Sequence, residues 1–527
     1  MTVFEPTKQH RRELDYPIIF GSALGFLTLC ALFWPFAADD AYIVGRYAQN
    51  AAAGNGLVYN VGEQVSALTS PLHALLETAL AYCGLDPVNS YRIIAPMLVL
   101  AGWFAAVRET GIRGHTLVIF TAVSLFSPFL ALWTVGGLET AILSFTATLL
   151  VSRLVVMTRV GTAANLDFVW LGLLAGLMFL TRYDSILVTA PILLAIVVVE
   201  NRRLALWIGA ALCIALASSW LLFSALYYGD IFPTSYYLKL ALGGRAQIDS
   251  VSAVLNFVVL SGLFLIALFV RPTSFDKRSP LSKAILRGAA FSVVLFLVYA
   301  SRASGQHMMF GYRLFVPYLM GATLVLSLSL VNPRPFLSVL FICWQTVMVA
   351  TTTFIGVNPA PLTRLPGFQE AYAEYESLTP RDFQDWNEML RQDAAKIAKD
   401  WTSRDLDTAP IIYLRSGGMG YFLMDFYVYE ALVSYRHECG IAPSAMIDAS
   451  HYMQQLGFSM TGSMVEDRGR ARNDVDDDAP LLFATTLHAM SPKATGYLFG
   501  PQPTPLYLGA RIRSNCSAES RLASDDS

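Results

Sequence analysis

Between residues 17 and 355 the chain returns again and again to apolar runs of 15 to 22 residues, parted by short polar stretches. About 18 consecutive apolar residues suffice for a helix to cross the hydrocarbon of a bilayer. Backbone in lipid must satisfy its own hydrogen bonds, so such repetition restricts this region to membrane helices. Charged residues make up only 14% of the chain, against about 25% in soluble proteins. The net charge is −2 and no stripe of Lys and Arg marks a basic face, which sets nucleic acid aside as a partner.

Eleven spans are expected, at 17–36, 91–107, 115–133, 138–157, 168–181, 184–199, 204–226, 251–270, 287–301, 313–331 and 336–355. The first follows a basic N-terminal segment, but its apolar stretch is too long for a secretory signal core and reads as an uncleaved helix. The segment at 70–85 is short, carries His73 and Glu77, and reads as an interfacial or re-entrant helix. With the N-terminus cytoplasmic, the short basic loops around Arg108/Arg113, Arg153/Arg159, Arg202/Arg203, 271–287 and Arg334 all fall inside. The loop at 37–90, the loops near 182–184, 227–250 and 302–312, and the tail then fall outside. These outer segments still hold Arg46, Arg92, Arg182, Lys239, Arg245, Arg302 and Arg313, which read either as tolerated surface charge or as cations for an anionic ligand on the outer face.

The expected architecture is therefore an all-α polytopic membrane domain, 1–355, followed by a small extracytoplasmic α/β domain, 356–527, with a disordered end. In the tail, "NEMLRQDAAKIAKDW" has an amphipathic helix pattern. "APIIYLRSGGMGYFL" and "PLLFATTL" read as strands, the first with a Gly-rich turn. "RGRARNDVDDDAP" reads as a solvated loop, since it lacks the spaced ligands of a calcium loop. Cys439 and Cys516 could pair outside the membrane. Cys30, Cys83, Cys213 and Cys343 lie in or beside apolar runs and read as small packing residues.

The stretch "FWPFAADDAYIVGRYAQNAAAGNGLVYNVGE" sets two carboxylates, Asp39 and Asp40, at the mouth of the first span. Charge beside lipid is costly and asks for a reason. Adjacent side chains point in different directions, so one carboxylate can take a proton while the other holds a backbone group or an Arg. An Asp of ordinary pKa, about 3.9, is ionised at neutral pH and suits a general base. Tyr42, Arg46 and Tyr47 follow at roughly helical spacing, so a helix starts at the pair, where a carboxylate would also cap it.

Taken in order, "DDAYIVGRYAQNAAAGNGLVYNVGEQV", "TSPL", "GLET", "TRYD", "YYGDIFPTSYYLK" and "GYRLFVPYL" resemble the GT-C glycosyltransferases, closest to the arabinofuranosyltransferase branch. The chain departs from that pattern at Tyr183, where a Pro is usual, and at His73, where a Trp is frequent. It also lacks an Asp before "GYR". The resemblance implies a bacterial plasma-membrane (inner-membrane) enzyme that moves a sugar, with D-arabinofuranose leading, from a polyprenyl-phosphate donor to an extracytoplasmic glycan or glycoprotein acceptor. It implies Asp39 and Asp40 as catalytic, and Arg182, Lys239, Arg302, His307 and Arg313 as candidates for the donor phosphate. Tyr42, Arg46, Asp184, Tyr236 and Tyr237 are candidates for substrate contact. Such enzymes differ in their use of a divalent cation. No second carboxylate cluster is visible here, and no metal ligand is assigned. Two rivals stand beside this reading: a lipid-linked sugar flippase or transporter, and a transferase using another polyprenyl-phosphate sugar such as mannose. A transporter usually carries internal repeats and midplane charges, and neither is evident in the sequence.

Overall fold

The computed structural model describes residues 15–241, 249–270, 279–303, 310–359, 378–403, 411–412, 417–429, 433, 459–460, 507–508 and 510–511. Among them the chain is a bundle of helices, and it is a multi-pass membrane protein. After α1 (Tyr16–Leu32), two short helices, α2 (Asp39–Ala52) and α3 (Pro71–Tyr82), occupy the first long connection. Twelve residues of α3 rise about 18 Å, well short of a bilayer core. α4 (Pro87–Thr110) opens on Pro87 with Asp86 accepting the Asn89 N–H, and closes on Gly111 at φ 64°. Both are common helix-end devices.

The expected span at 115–133 is a broken one. α5 (Gly114–Val123) and α6 (Pro128–Val135) meet at 55°, because Pro128 cannot continue the ladder of α5. α7 (Thr140–Val160), α8 (Asn165–Thr181), α9 (Ile186–Glu200) and α10 (Leu204–Tyr228) follow, with α8 packed along α10. α11 (Thr234–Ala241) is short. The span expected at 251–270 divides at Gly262, φ 86°, into α12 (Asp249–Leu260) and α13 (Leu263–Ala267). α14 (Pro280–Ala303) packs along α9, α15 (Leu319–Leu328) follows two 3-10 turns, and α16 (Pro335–Phe354) ends the bundle. All eleven expected spans thus fall on helical segments. Among the described residues six helices are long and apolar enough to cross a membrane unaided, and the bent pair raises that to seven.

The two ends of the bundle differ. At one end Arg159 donates to Thr110 O at 3.1 Å, Arg153 pairs with Asp167, Ser152 donates to Glu109, and Asp15 accepts the Gly114 N–H. The basic segments around Arg108, Arg113 and Arg159 therefore gather there. Asp39, Glu139, Arg182 and Arg313 gather at the other end.

Beyond the bundle, α17 (Pro380–Ser403) matches the expected amphipathic helix. The Gly-rich segment departs from expectation. Among its described residues Ile411–Ile412 forms a strand (β1), and α18 (Gly417–Phe422) is a helix. β1 pairs with β2 (Val428–Tyr429) in parallel and with β4 (Tyr507–Leu508) antiparallel, while β3 (Ser459–Met460) pairs with β5 (Ala510–Arg511). "PLLFATTL", the charged loop at 468–480, Cys439 and Cys516 lie outside the described residues. Of the other cysteines only Cys30 is buried, and Cys83 and Cys343 are exposed rather than packed.

Candidate active site

The start of α2 is held before its carboxylates appear. Ala38 donates its N–H to Gly136 O at 3.0 Å, tying the helix to the turn between α6 and α7. Gly137, at φ 82°, permits that approach: a Cβ there would lie 2.8 Å from Ala41 Cβ. Arg92 closes the same corner, donating to Val135 O at 2.6 Å, to Phe36 O at 2.9 Å and to Trp34 O. Its guanidinium is consumed by carbonyls, so this cation, expected on the outer face, is a clamp.

The two adjacent carboxylates have different surroundings. Asp39 Oδ1 accepts the Asp40 N–H at 3.0 Å, and Asp39 makes no ion pair among the described residues. Burial, and then the neighbouring Asp40 charge, raise its pKa to about 7, well above the ordinary value the sequence suggested. Asp40 is more open and accepts from Arg313 Nη1 at 3.2 Å.

From Asp40 a chain of charges runs inward. Arg313 Nη2 lies 3.2 and 3.3 Å from the two oxygens of Glu139. Glu139 Oε1 also takes Arg182 Nη1 at 3.0 Å, and Arg182 grips Asp184 at 2.6 and 3.0 Å. Glu139 sits at the head of α7 and is almost fully buried. Burial disfavours its charge, and the guanidiniums of Arg313 and Arg182 offset that cost. The turn carrying Arg313 is set by strain and by hydrogen bonds. Tyr312 adopts φ 59°, which costs a non-glycine residue roughly 1 kcal/mol or more. Trp133 Nε1 donates to Gly311 O at 2.8 Å, the Gly311 N–H goes to Asn358 Oδ1 at 3.0 Å, and Tyr312 OH donates to Pro359 O. Trp133 also lies under the Arg313 guanidinium, 5.5 Å from ring centre to carbon.

The structure thus brings Asp39, Asp40, Arg313, Arg182 and Asp184 together, and adds Glu139, which the sequence reading left out of the site. Its signal was present: a carboxylate after paired glycines at the head of an apolar run. Other candidates lie elsewhere. Arg46 is buried at 1% exposure and donates to Tyr59 O, Asn60 Oδ1 and the carbonyls of Gly420, Leu423 and Phe426. It is an interior fastening and not a substrate contact. Tyr42 is buried against Tyr421 and Phe422. Tyr236 is exposed and packs with Phe232 and Tyr237 beside the end of α10. Lys239 and Arg302 stand on α11 and α14, but their side chains, and all of His307, lie outside the described residues. No group of three or more His, Cys, Asp or Glu among the described residues is placed to hold a metal ion.

Two guanidiniums thus stand among four carboxylates, of which Asp40 adds to the burial that keeps Asp39 from ionising. No protein-family model matches the chain, and no curated protein matches it. Among solved structures, the crystal structure of ArnT from Cupriavidus metallidurans bound to undecaprenyl phosphate is similar, with a TM-score of 0.46 and 13% identity over 77% of this chain and 75% of that one. A likeness of that size decides nothing about the chemistry.

Proposed function

We propose that the chain is a GT-C type membrane glycosyltransferase that moves a sugar, D-arabinofuranose, from a polyprenyl-phosphate donor to an extracytoplasmic glycan or glycoprotein. One observation carries the reading. A half-buried carboxylate whose pKa is pushed up to about 7, Asp39, adjoins Asp40, which leads into the Arg313–Glu139–Arg182 chain. The ordered motifs from Asp39 to Leu319 support the same assignment, and the arabinose donor rests on them alone.

The chemistry follows from those groups. A general base works best when its pKa lies near the working pH. Asp39 takes the proton of the acceptor hydroxyl as that oxygen attacks the anomeric carbon. The bond from that carbon to the phosphate oxygen breaks on the opposite face, its electron pair leaves with the polyprenyl phosphate, and the anomeric configuration inverts. Arg313 and Arg182 face the charge that grows on the departing phosphate, where fixed donors are most effective. Glu139 keeps both guanidiniums oriented, and Asp40 steers Arg313.

The test is transfer by purified protein from synthetic polyprenyl-phosphate arabinofuranose, and from its mannose counterpart, to a panel of acceptor glycans. The wild type is expected to transfer the pentose, and Asp39→Asn to lose about 100-fold or more. Transfer from the mannose donor alone would replace the sugar and keep the enzyme. No transfer from either, with lipid-linked sugar crossing vesicles instead, would replace the enzyme with a flippase.

A further inference from the structure

The segment "GGMG", 417–420, has no role in the chemistry above, yet it lies against the helix that carries Asp39. A Cβ on Gly417 would stand 2.6 Å from Asp39 O and 2.5 Å from Ile43 Cγ1. A Cβ on Gly420 would stand 1.8 Å from the Tyr59 hydroxyl. Only glycine allows backbone that close. Two turns along α2, Arg46 extends the contact. It gives hydrogen bonds to Leu423 O at 3.0 Å and Phe426 O at 2.7 Å, as well as to Gly420 O. Asn60 continues it, accepting the Val428 N–H and donating to Val428 O, both at 3.0 Å. Tyr421 OH donates to Asp86 Oδ2 at 2.6 Å and accepts from Gln49. From α17, Asn387 donates to Ala37 O at 3.0 Å, two residues before Asp39, and Phe383 meets Phe36 edge-on at 4.9 Å.

We infer that α17 and residues 417–428 are a built-in part of the catalytic unit, a key that seats α2 and so sets the pose of Asp39, with Gly417, Arg46 and Asn387 as positioning residues. The inference rests on Asp39 being the base. A buried guanidinium surrounded by carbonyls is costly to leave unsatisfied, so the segment cannot swing away from α2 while Arg46 stays buried. A general base must reach its proton within hydrogen-bond distance, and a displacement of about 1 Å can cost 100-fold in rate. The tail is thereby joined to the reaction, although its described residues contribute no reacting group.

The experiment compares the full-length wild type with Gly417→Ala and with the milder Asn387→Ala, which removes a single hydrogen bond. Each is assayed for kcat, donor KM, pH–rate profile and melting in detergent. A second readout needs no turnover. Asp39→Cys is placed in a background lacking the six natural cysteines, and its alkylation rate is measured with and without Gly417→Ala. Expected are a fall in kcat of about 10- to 100-fold for Gly417→Ala at unchanged KM, and an acidic limb displaced from about 7 towards ordinary carboxylate values. Alkylation at position 39 is expected to quicken several-fold. If Gly417→Ala does not fold, Asn387→Ala is expected to show the same changes in smaller measure. Unchanged alkylation together with an unmoved pH limb overturns the inference, whatever kcat does. A wild type that transfers no sugar removes the proposed function instead, and the alkylation rate still decides whether the segment positions residue 39.

Discussion

Both carboxylate oxygens of Glu139 lie within 3.3 Å of Arg313 Nη2, and the pair is buried where α7 begins. A buried ion pair contributes little net stability, but removing one partner strands the other. Arg182 shares the same carboxylate, so Glu139→Gln takes one charge partner from each of two guanidiniums, leaving Arg313 with Asp40 and Arg182 with Asp184. Glu139→Gln is expected to destabilise the protein by about 1–3 kcal/mol, read from melting in detergent. Transfer should fall by more than about tenfold, since the donors aimed at the phosphate lose their anchor. A melting temperature equal to wild type would show that Asp40 and Asp184 suffice for the two arginines.

Asp40 offers the contrast. Its side chain is 41% exposed and meets only one end of Arg313. Exposed ion pairs are worth about 0–1 kcal/mol. Asp40→Asn is therefore expected to melt near wild type and to raise donor KM more than it lowers kcat. A loss as deep as that of Asp39→Asn would exchange the roles of the two aspartates.

The raised pKa of Asp39 gives two pH effects of opposite sense. The base form exists above about 7, so kcat/KM should climb with pH through that value on its acidic side. Stability runs the other way. The folded protein binds the Asp39 proton more tightly than the unfolded chain does, so this contribution is complete below the unfolded pKa near 3.8 and is lost as pH rises through about 7. Asp39→Asn removes the half-buried charge, and should raise the melting temperature at pH 8 while leaving it unchanged at pH 5. A variant less stable than wild type at pH 8 would mean that ionised Asp39 is a stabilising partner.

How far the site could be read in sequence depended on the distance between partners. Arg182 and Asp184 are two residues apart, and their pairing was visible in "TRYD". Arg313 and Glu139 are 174 apart, and nothing local links them. Arg46 looked like Arg313 in sequence, an outer cation two helical turns from the aspartates, yet its carbonyl partner at Gly420 lies 374 positions on. A guanidinium in an outer loop does not reveal whether carboxylates or carbonyls will surround it. The helices were legible because the solvent for which they are shaped leaves a long apolar record. The breaks at Pro128 and Gly262 were less so, since a kinked span and a straight one have the same composition. "SGGMGYF" read as a turn because glycine favours turns, and its helix exists through packing on α2, which local propensity does not encode.

The approach of α8 to α10 gives the last test. A Cβ on Gly172 would lie 2.0 Å from Gly209 O, and one on Gly209 would lie 2.2 Å from Phe168 O. Small residues at such crossings let membrane helices pack backbone to backbone, where no hydrophobic force separates lipid from Leu. The colliding atoms are backbone, so neither helix can yield by turning a side chain. Gly209→Ala should therefore cost about 1–3 kcal/mol or more as the helices part. α8 ends at Thr181, one residue before the arginine that reaches Glu139 at 3.0 Å, so the displacement is expected to travel to the site. Gly209→Ala should lower both melting temperature and kcat, whereas alanine at Gly21, which has no atom within 4 Å of its Cβ position, should change neither. Equal behaviour of the two variants would mean that α8 and α10 are not in backbone contact in the membrane.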